Sequence, residues 1–342
     1  MQDIVVRSRA RLLAQASVEW VLIIAIVGLG CVAGLRALSG QMGNVLGKTG
    51  NVLAQGDPVG PVTPDPGTPG GSGSDTPEPE PEPEPEDSTY AMLYSDGTLV
   101  FQEGDNEESS YGGLIGKWNG WVESQPTSAS DIKWAGEKDK IRSVVFKDAV
   151  APNSLAWYFS DCDNLESFTA GALDPSRVVS TSNMFSGCGN LVSVIMEDQN
   201  FAELRTTREM FKDCSKLFTC HLFEWRTPKL TDMRGTWQNC PRLVDSNSSG
   251  WDRSKVTDIS YLYFNDKDVR YFTFKDYDYS SVTDMSFMLY GCDNLETLDL
   301  GPSFKLTRSH EGWLPDGTWK NDAGTAFTPE TFPSGAGTYR KQ

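Results

Sequence analysis

Apolar residues return to the same phase every 26 residues through the C-terminal half of the chain. The frame is centred on a slot held by Cys162, Cys188, Cys214, Cys240, Asp266 and Cys292. Three residues before each slot stand Phe159, Phe185, Phe211, Trp237, Tyr263 and Leu289, and three after it stand Leu165, Leu191, Leu217, Leu243, Val269 and Leu295. One such unit cannot cover its own apolar face, so the period predicts a stack of coils sharing one interior. The best copy, Ser281 to Leu300, predicts what each coil contains. Ser281-Val282-Thr283-Asp284 offers helix-capping groups, Met285, Met288 and Leu289 fall on one helical face, and Gly291 suits a helix end. Leu295, Leu298 and Leu300 then have the spacing of a short strand. The expected class is α/β: a solenoid of about six units over 151–308, with parallel strands and short helices.

Two alternating runs around Asp96-Gly97, Tyr90 to Phe101, predict a hairpin, and Ile141 to Phe146 predicts another strand. These make 89–150 an N-terminal cap. Trp313, Trp319, Phe327, Phe332 and Tyr339, spaced by Gly and Pro, make 309–342 a C-terminal cap over the last coil.

Strand alternation turns the fifth and seventh residues after each slot outward, forming a mostly polar elongated surface on which Ile195, His221 and Tyr271 are the least bland members. Trp225, Trp251 and Tyr277 fall eleven after successive slots. That row is either a contact surface or an aromatic closure of the stack's edge. The slot cysteines Cys162, Cys188, Cys214, Cys240 and Cys292 read as a buried structural ladder, because Cys is small and apolar and carries a weak donor. Single cysteines 26 apart do not have zinc spacing, and free buried thiols are expected rather than disulfides.

Before the repeats, Arg7, Arg9 and Arg11 precede an apolar run from Val21 to Leu35 that is entered through Glu19. This predicts a basic leader (1–14) and a hydrophobic transmembrane helix (15–55) whose C-terminal side is exported. From 56 to 88 the chain is rich in Pro, Gly, Ser and acid and ends in alternating Pro and Glu. Such a segment cannot bury apolar area and predicts an extended, disordered stalk reaching up to roughly 90 Å.

Charge narrows the function classes. The 342 residues carry a net charge of -17, and Asp57 to Gly116 holds 14 acidic residues and no basic one. No basic surface for nucleic acid is visible. The two histidines, His221 and His310, suggest neither a metal site nor a His-based catalytic centre, and no pair of carboxylates stands out. No enzyme activity, cofactor or metal is expected.

Two resemblances sharpen the picture. Ala14-Gln15-Ala16-Ser17-Val18-Glu19-Trp20 resembles the leader junction of type IVb pilins and pilin-like Flp or TadE proteins, although Ala14 replaces the usual Gly. The resemblance implies a prepilin peptidase cutting between Ala14 and Gln15, with Glu19 and Trp20 packing helices against other pilin subunits. Val256-Thr257-Asp258-Ile259 and Met184-Phe185-Ser186-Gly187-Cys188-Gly189-Asn190-Leu191 resemble the repeats of BspA-like leucine-rich-repeat surface proteins. That resemblance implies a cell-surface adhesin binding an extracellular protein or glycan; the alternative is a structural minor pilin or pilus-assembly component without a ligand of its own.

Overall fold

The computed structural model describes residues 89–275, 277–307 and 310–342. The leader, the hydrophobic segment and the stalk, with Ala14, Gln15, Glu19 and Trp20, lie outside the described residues. Among the described residues, no helix is long and apolar enough to cross a membrane.

The first strands form because apolar residues alternate on either side of Asp96-Gly97. Strands β1 (Thr89–Tyr94) and β2 (Thr98–Glu103) pair antiparallel, and Gly97 turns between them with φ 91°. A Cβ there would meet the Lys140 carbonyl at 2.6 Å, so only Gly fits. Strand β3 (Leu114–Asn119) joins β1, and β4 (Ser143–Phe146) runs parallel to β2. Phe101 stacks on Phe146 at 4.6 Å and meets the edges of Trp121 and Trp134, which bonds this cap to the first coil through Tyr158.

The 26-residue stack forms, and its interior is as the period requires. Phe159, Phe185, Phe211, Trp237 and Tyr263 are buried and stack ring over ring; Phe185 and Phe211 lie 5.5 Å apart and 5° from parallel. Leu191 and Leu217 are buried with them. One side of the stack carries three-residue parallel strands: β5 (Ser167–Thr169), β6 (Ser193–Ile195) and β7 (Thr219–His221) in one sheet. Strands β8 (Tyr271–Thr273) and β9 (Thr297–Leu300) belong to another.

The predicted helices do not form, and the α/β solenoid of strands and short helices is overturned. Among the described residues there are strands, turns and short 3-10 segments only, so the class is β. The reason is visible in one coil. Met184, Ser186 and Cys188 donate their backbone N–H groups to the carbonyls of Thr181, Asn183 and Phe185, three residues back rather than four. The residues between them, Asn183, Phe185 and Gly187, donate instead to Arg208, Met210 and Lys212 of the next coil at 2.8–2.9 Å. Two left-handed positions per coil produce this alternation. One falls at Trp157, Asn183, Glu209, Gly235, Tyr261 and Phe287, and the other at Asp161, Gly187, Asp213, Asn239, Asn265 and Gly291. Left-handed backbone costs an L-residue roughly 1–2 kcal/mol, and the bonds between coils offset it. Asp284 does cap a backbone N–H, that of Ser286, but it opens a turn. Asp232 and Asp258 repeat the bond, as the hydroxyl-bearing Ser180 and Thr206 do at the same phase.

The last coil is closed from outside. Strands β10 (Trp319–Asn321), β11 (Ala326–Phe327) and β12 (Gly337–Lys341) form an antiparallel lid, and β12 pairs along β9 from Gly337↔Leu300 to Arg340↔Thr297. Tyr339 packs on Phe332 at 4.4 Å, which meets Trp313 edge-on.

Candidate functional site

The strand side of the stack is interrupted once, where the sequence breaks its own pattern. Six residues after each slot the chain places Phe168, Val194, Cys220, Ser246, Phe272 and Leu298 in turn; eight after it come Ala170, Met196, Leu222, Ser248, Phe274 and Leu300. Both inward positions of the fourth coil are therefore serines. A hydroxyl cannot fill a methyl-lined interior without a partner, and the sheet opens there. Asp245 still bridges back to Thr219, and Cys220 and Leu222 still donate to Asp245 and Asn247. Among the described residues no strand pairing joins 245–247 to 271–273. On the turn side the fourth and fifth coils remain stitched, for example from Asn239 N–H to Phe264 at 2.7 Å. The result is a cleft of about 290 Å³ between Val244–Ser248 on one lip and Tyr271–Thr273 on the other.

Arg253 fills the inner end. It is only 4% exposed; its Nη2 donates to the Ser248 carbonyl at 2.9 Å and to Ser248 Oγ at 2.7 Å, and its guanidinium lies 3.7 Å from the centre of the Tyr277 ring. Its Nε–H is buried and has no partner. Among the described residues no carboxylate pairs with it within salt-bridge distance. Ser246 Oγ and Tyr263 Oη hydrogen-bond across the floor at 2.7 Å. Burial pushes the Tyr279 hydroxyl up to about 12 and Tyr263 well above its ordinary value, so both stay neutral. Arg253 is thus a buried cation without an opposing charge, walled by aromatic rings, with Asp245 at the rim.

Tyr271 and Tyr277 both line this cleft, and Tyr271 Oη also donates to Asp299 Oδ2 at 3.3 Å. Ile195 and His221 lie elsewhere, side by side on β6 and β7, with His221 Nδ1 3.4 Å from Glu197 Oε1. Trp225 and Trp251 are not on the surface at all: both are buried, stacked 4.7 Å apart. Each indole N–H donates to a carbonyl of the preceding coil, that of Met196 for Trp225 and that of Leu222 for Trp251. A contact role for these two is therefore corrected to a role in the interior. Ser246, Ser248 and Arg253 were the residues the period alone did not single out. The signal for the two serines is polarity intruding at aligned apolar positions, whereas the phase of Arg253 also holds Thr227 and Lys305 and marks nothing.

The slot ladder is built by hydrogen bonds as well as packing. Cys188, Cys214, Cys240 and Cys292 donate their thiols to the carbonyls of Phe159, Phe185, Phe211 and Tyr263 at 2.9–3.1 Å. All six described cysteines, including Cys220, are free and buried. Burial raises their thiols, Cys162 to about 12. Among the described residues no cluster of His, Cys, Asp and Glu could hold a metal.

A continuous apolar row leads to the cleft. Val192, Phe218 and Val244 follow one another in neighbouring coils, joined by Phe218 N–H to Val192 O and Val244 N–H to Phe218 O, and are 44%, 38% and 51% exposed. Ile195 and Tyr271, at 40% and 56%, are exposed as well.

Fold and face together define a β-repeat scaffold with one polar interruption. A family model described as "Mycoplasma protein of unknown function, DUF285" matches residues 153–271 and 232–305, the coils themselves. No curated protein matches the chain.

Proposed function

We propose that this chain is a non-catalytic cell-surface adhesin whose coil stack recognises an extracellular protein or glycan through its strand face. The observation that carries the reading is the Val192–Phe218–Val244 row running into the Tyr271 cleft. Large apolar side chains contiguous on an exposed surface are characteristic of a docking site. The acidic, proline-rich stretch before the coils suits display at a distance from an N-terminal anchor. The resemblance of the repeats to those of BspA-like surface proteins supports display outside the cell.

The test compares cells carrying the full chain with cells carrying a Phe218→Asp, Val244→Asp double variant, matched for surface amount, on plates coated with matrix proteins or glycans. Attachment to one coating that the double variant weakens by about ten-fold, equivalent to roughly 1.4 kcal/mol, supports the reading. Attachment no better than cells lacking the protein on every coating, or attachment indifferent to the variant, overturns it.

A further inference from the structure

We propose that the cleft between the fourth and fifth coils takes a single carboxylate-bearing sugar residue, its carboxylate facing the Arg253 guanidinium and its ring lying against the tyrosines. The inference rests on the reading of the chain as a binding module and names the ligand class. Three independent features converge on it. First, the opening is encoded: Ser246 and Ser248 replace residues that are apolar in the flanking coils, and they do so at the two positions where the sheet parts. Second, Arg253 is buried against this opening with an unsatisfied Nε–H and no opposing charge among the described residues. Burying an uncompensated cation is costly, and a bound anion removes that cost. Guanidinium is the side chain best shaped to hold a carboxylate.

Third, the walls suit a sugar better than other anions. Tyr271, Tyr277 and Phe272 offer flat apolar surface, while Asn247, Thr273 and Asp245 put amide, hydroxyl and carboxylate groups at the rim. A bare inorganic anion would gain nothing from the rings and would be repelled by Asp245. A sugar acid presents its carboxylate to Arg253 and its hydroxyl donors to Asp245, using both charges. The volume, about 290 Å³, lies at the small end of ligand pockets and suits one ring. An extended acidic peptide fits less well, because the Ser246–Tyr263 hydrogen bond crosses the gap and denies it a continuous strand edge to pair with.

The test is ligand-observed NMR on the full chain with the methyl glycosides of glucuronic acid and N-acetylneuraminic acid, methyl glucoside as the neutral probe, and an acetylated Glu-containing tripeptide. One or both acidic glycosides should bind at least about ten-fold more tightly than methyl glucoside, and which of them binds identifies the sugar. Arg253→Gln should abolish the preference. Tyr271→Ala, at an exposed position that leaves the interior intact, should weaken binding of the same glycoside several-fold, so the inference does not depend on the Arg253 variant folding. Equal binding of neutral and acidic glycosides, acidic binding unchanged in Tyr271→Ala, binding of the tripeptide alone, or no binding of any probe overturns the inference. Cell attachment that persists while no glycoside binds refutes this inference and leaves the adhesin reading standing. Glycoside binding without attachment does the reverse.

Discussion

The backbone N–H of Cys240 donates to Asp266 Oδ1 at 2.6 Å, across the one joint in the slot ladder where a carboxyl group stands in place of a thiol. Its other oxygen, Oδ2, is buried without a partner. Burial raises the Asp266 carboxyl well above the ordinary carboxylate range, against the weaker opposing effect of the Cys240 N–H.

The pH dependence follows. Between the unfolded value, about 3.9, and the raised folded value, the unfolded chain has released a proton that the folded chain retains. Stability from this site is therefore fully present below about pH 4 and is lost as pH rises toward the folded value. Asp266→Asn should flatten that dependence. Asp266→Cys, restoring the ladder, should raise stability near pH 7 by about 1–3 kcal/mol, with the gain shrinking toward pH 4. Urea unfolding from pH 4 to 8 reads both; a wild-type stability that climbs from pH 4 to 7 relative to Asp266→Asn contradicts the assignment.

The six described cysteines should be chemically silent in the folded protein. Reaction requires thiolate, and burial holds these thiols protonated. Iodoacetamide at pH 8 should leave the peptides carrying them unmodified until the chain is unfolded, when all six should react without a reductant. Peptide mass mapping decides it.

Gly187 has φ 78°, and a Cβ added there would lie 2.3 Å from Asp161 Oδ1. Gly187→Ala should destabilise by about 1–2 kcal/mol. Ser186→Ala, one residue away at an ordinary φ, should change stability by less than about 0.5 kcal/mol. Equal effects in thermal unfolding would remove the left-handed turn as the cause.

The stacked rings should be energetically coupled. Phe185→Ala and Phe211→Ala are each expected to cost about 3–5 kcal/mol. Because the rings lie 5.5 Å apart and nearly parallel, the double-mutant cycle should show an interaction of about 0.5–1.5 kcal/mol. Additivity would mean the rings merely share an interior.

The period and the identity of the buried ladder were legible because packing between identical coils forces the same residue type to recur at the same phase. The hairpin was legible from Asp96-Gly97, and β4 from Ser143–Phe146 within the expected run. The helix was not, for a physical reason. Met285, Met288 and Leu289 have helical spacing, but Phe287 between them is left-handed, as are Trp157, Glu209 and Tyr261 in other coils. None of these residue types announces that conformation; it is maintained by bonds to residues 25 further along, which no local window contains. The aromatic row was misplaced for a related reason: spacing fixes where Trp225 and Trp251 fall in a coil, not whether their indole N–H groups face inward to a carbonyl. The cleft left a sequence trace in Ser246 and Ser248, visible only when the sixth and eighth residues after each slot are aligned against their counterparts; Arg253 left none, because its phase holds Thr227 and Lys305 in other coils.

The closing strands at the two ends bear on how such a molecule can change over generations. On the turn side each interior coil hands its hydrogen bonds to the next in the same register, while β2–β4 and β12 terminate the series without depending on how many coils stand between them. Length can therefore be edited in whole steps: duplicating or deleting residues 188–213 alters reach and the number of surface rungs while both lids keep their own contacts. A single added or lost residue has no such licence, since it would throw every later rung out of alignment.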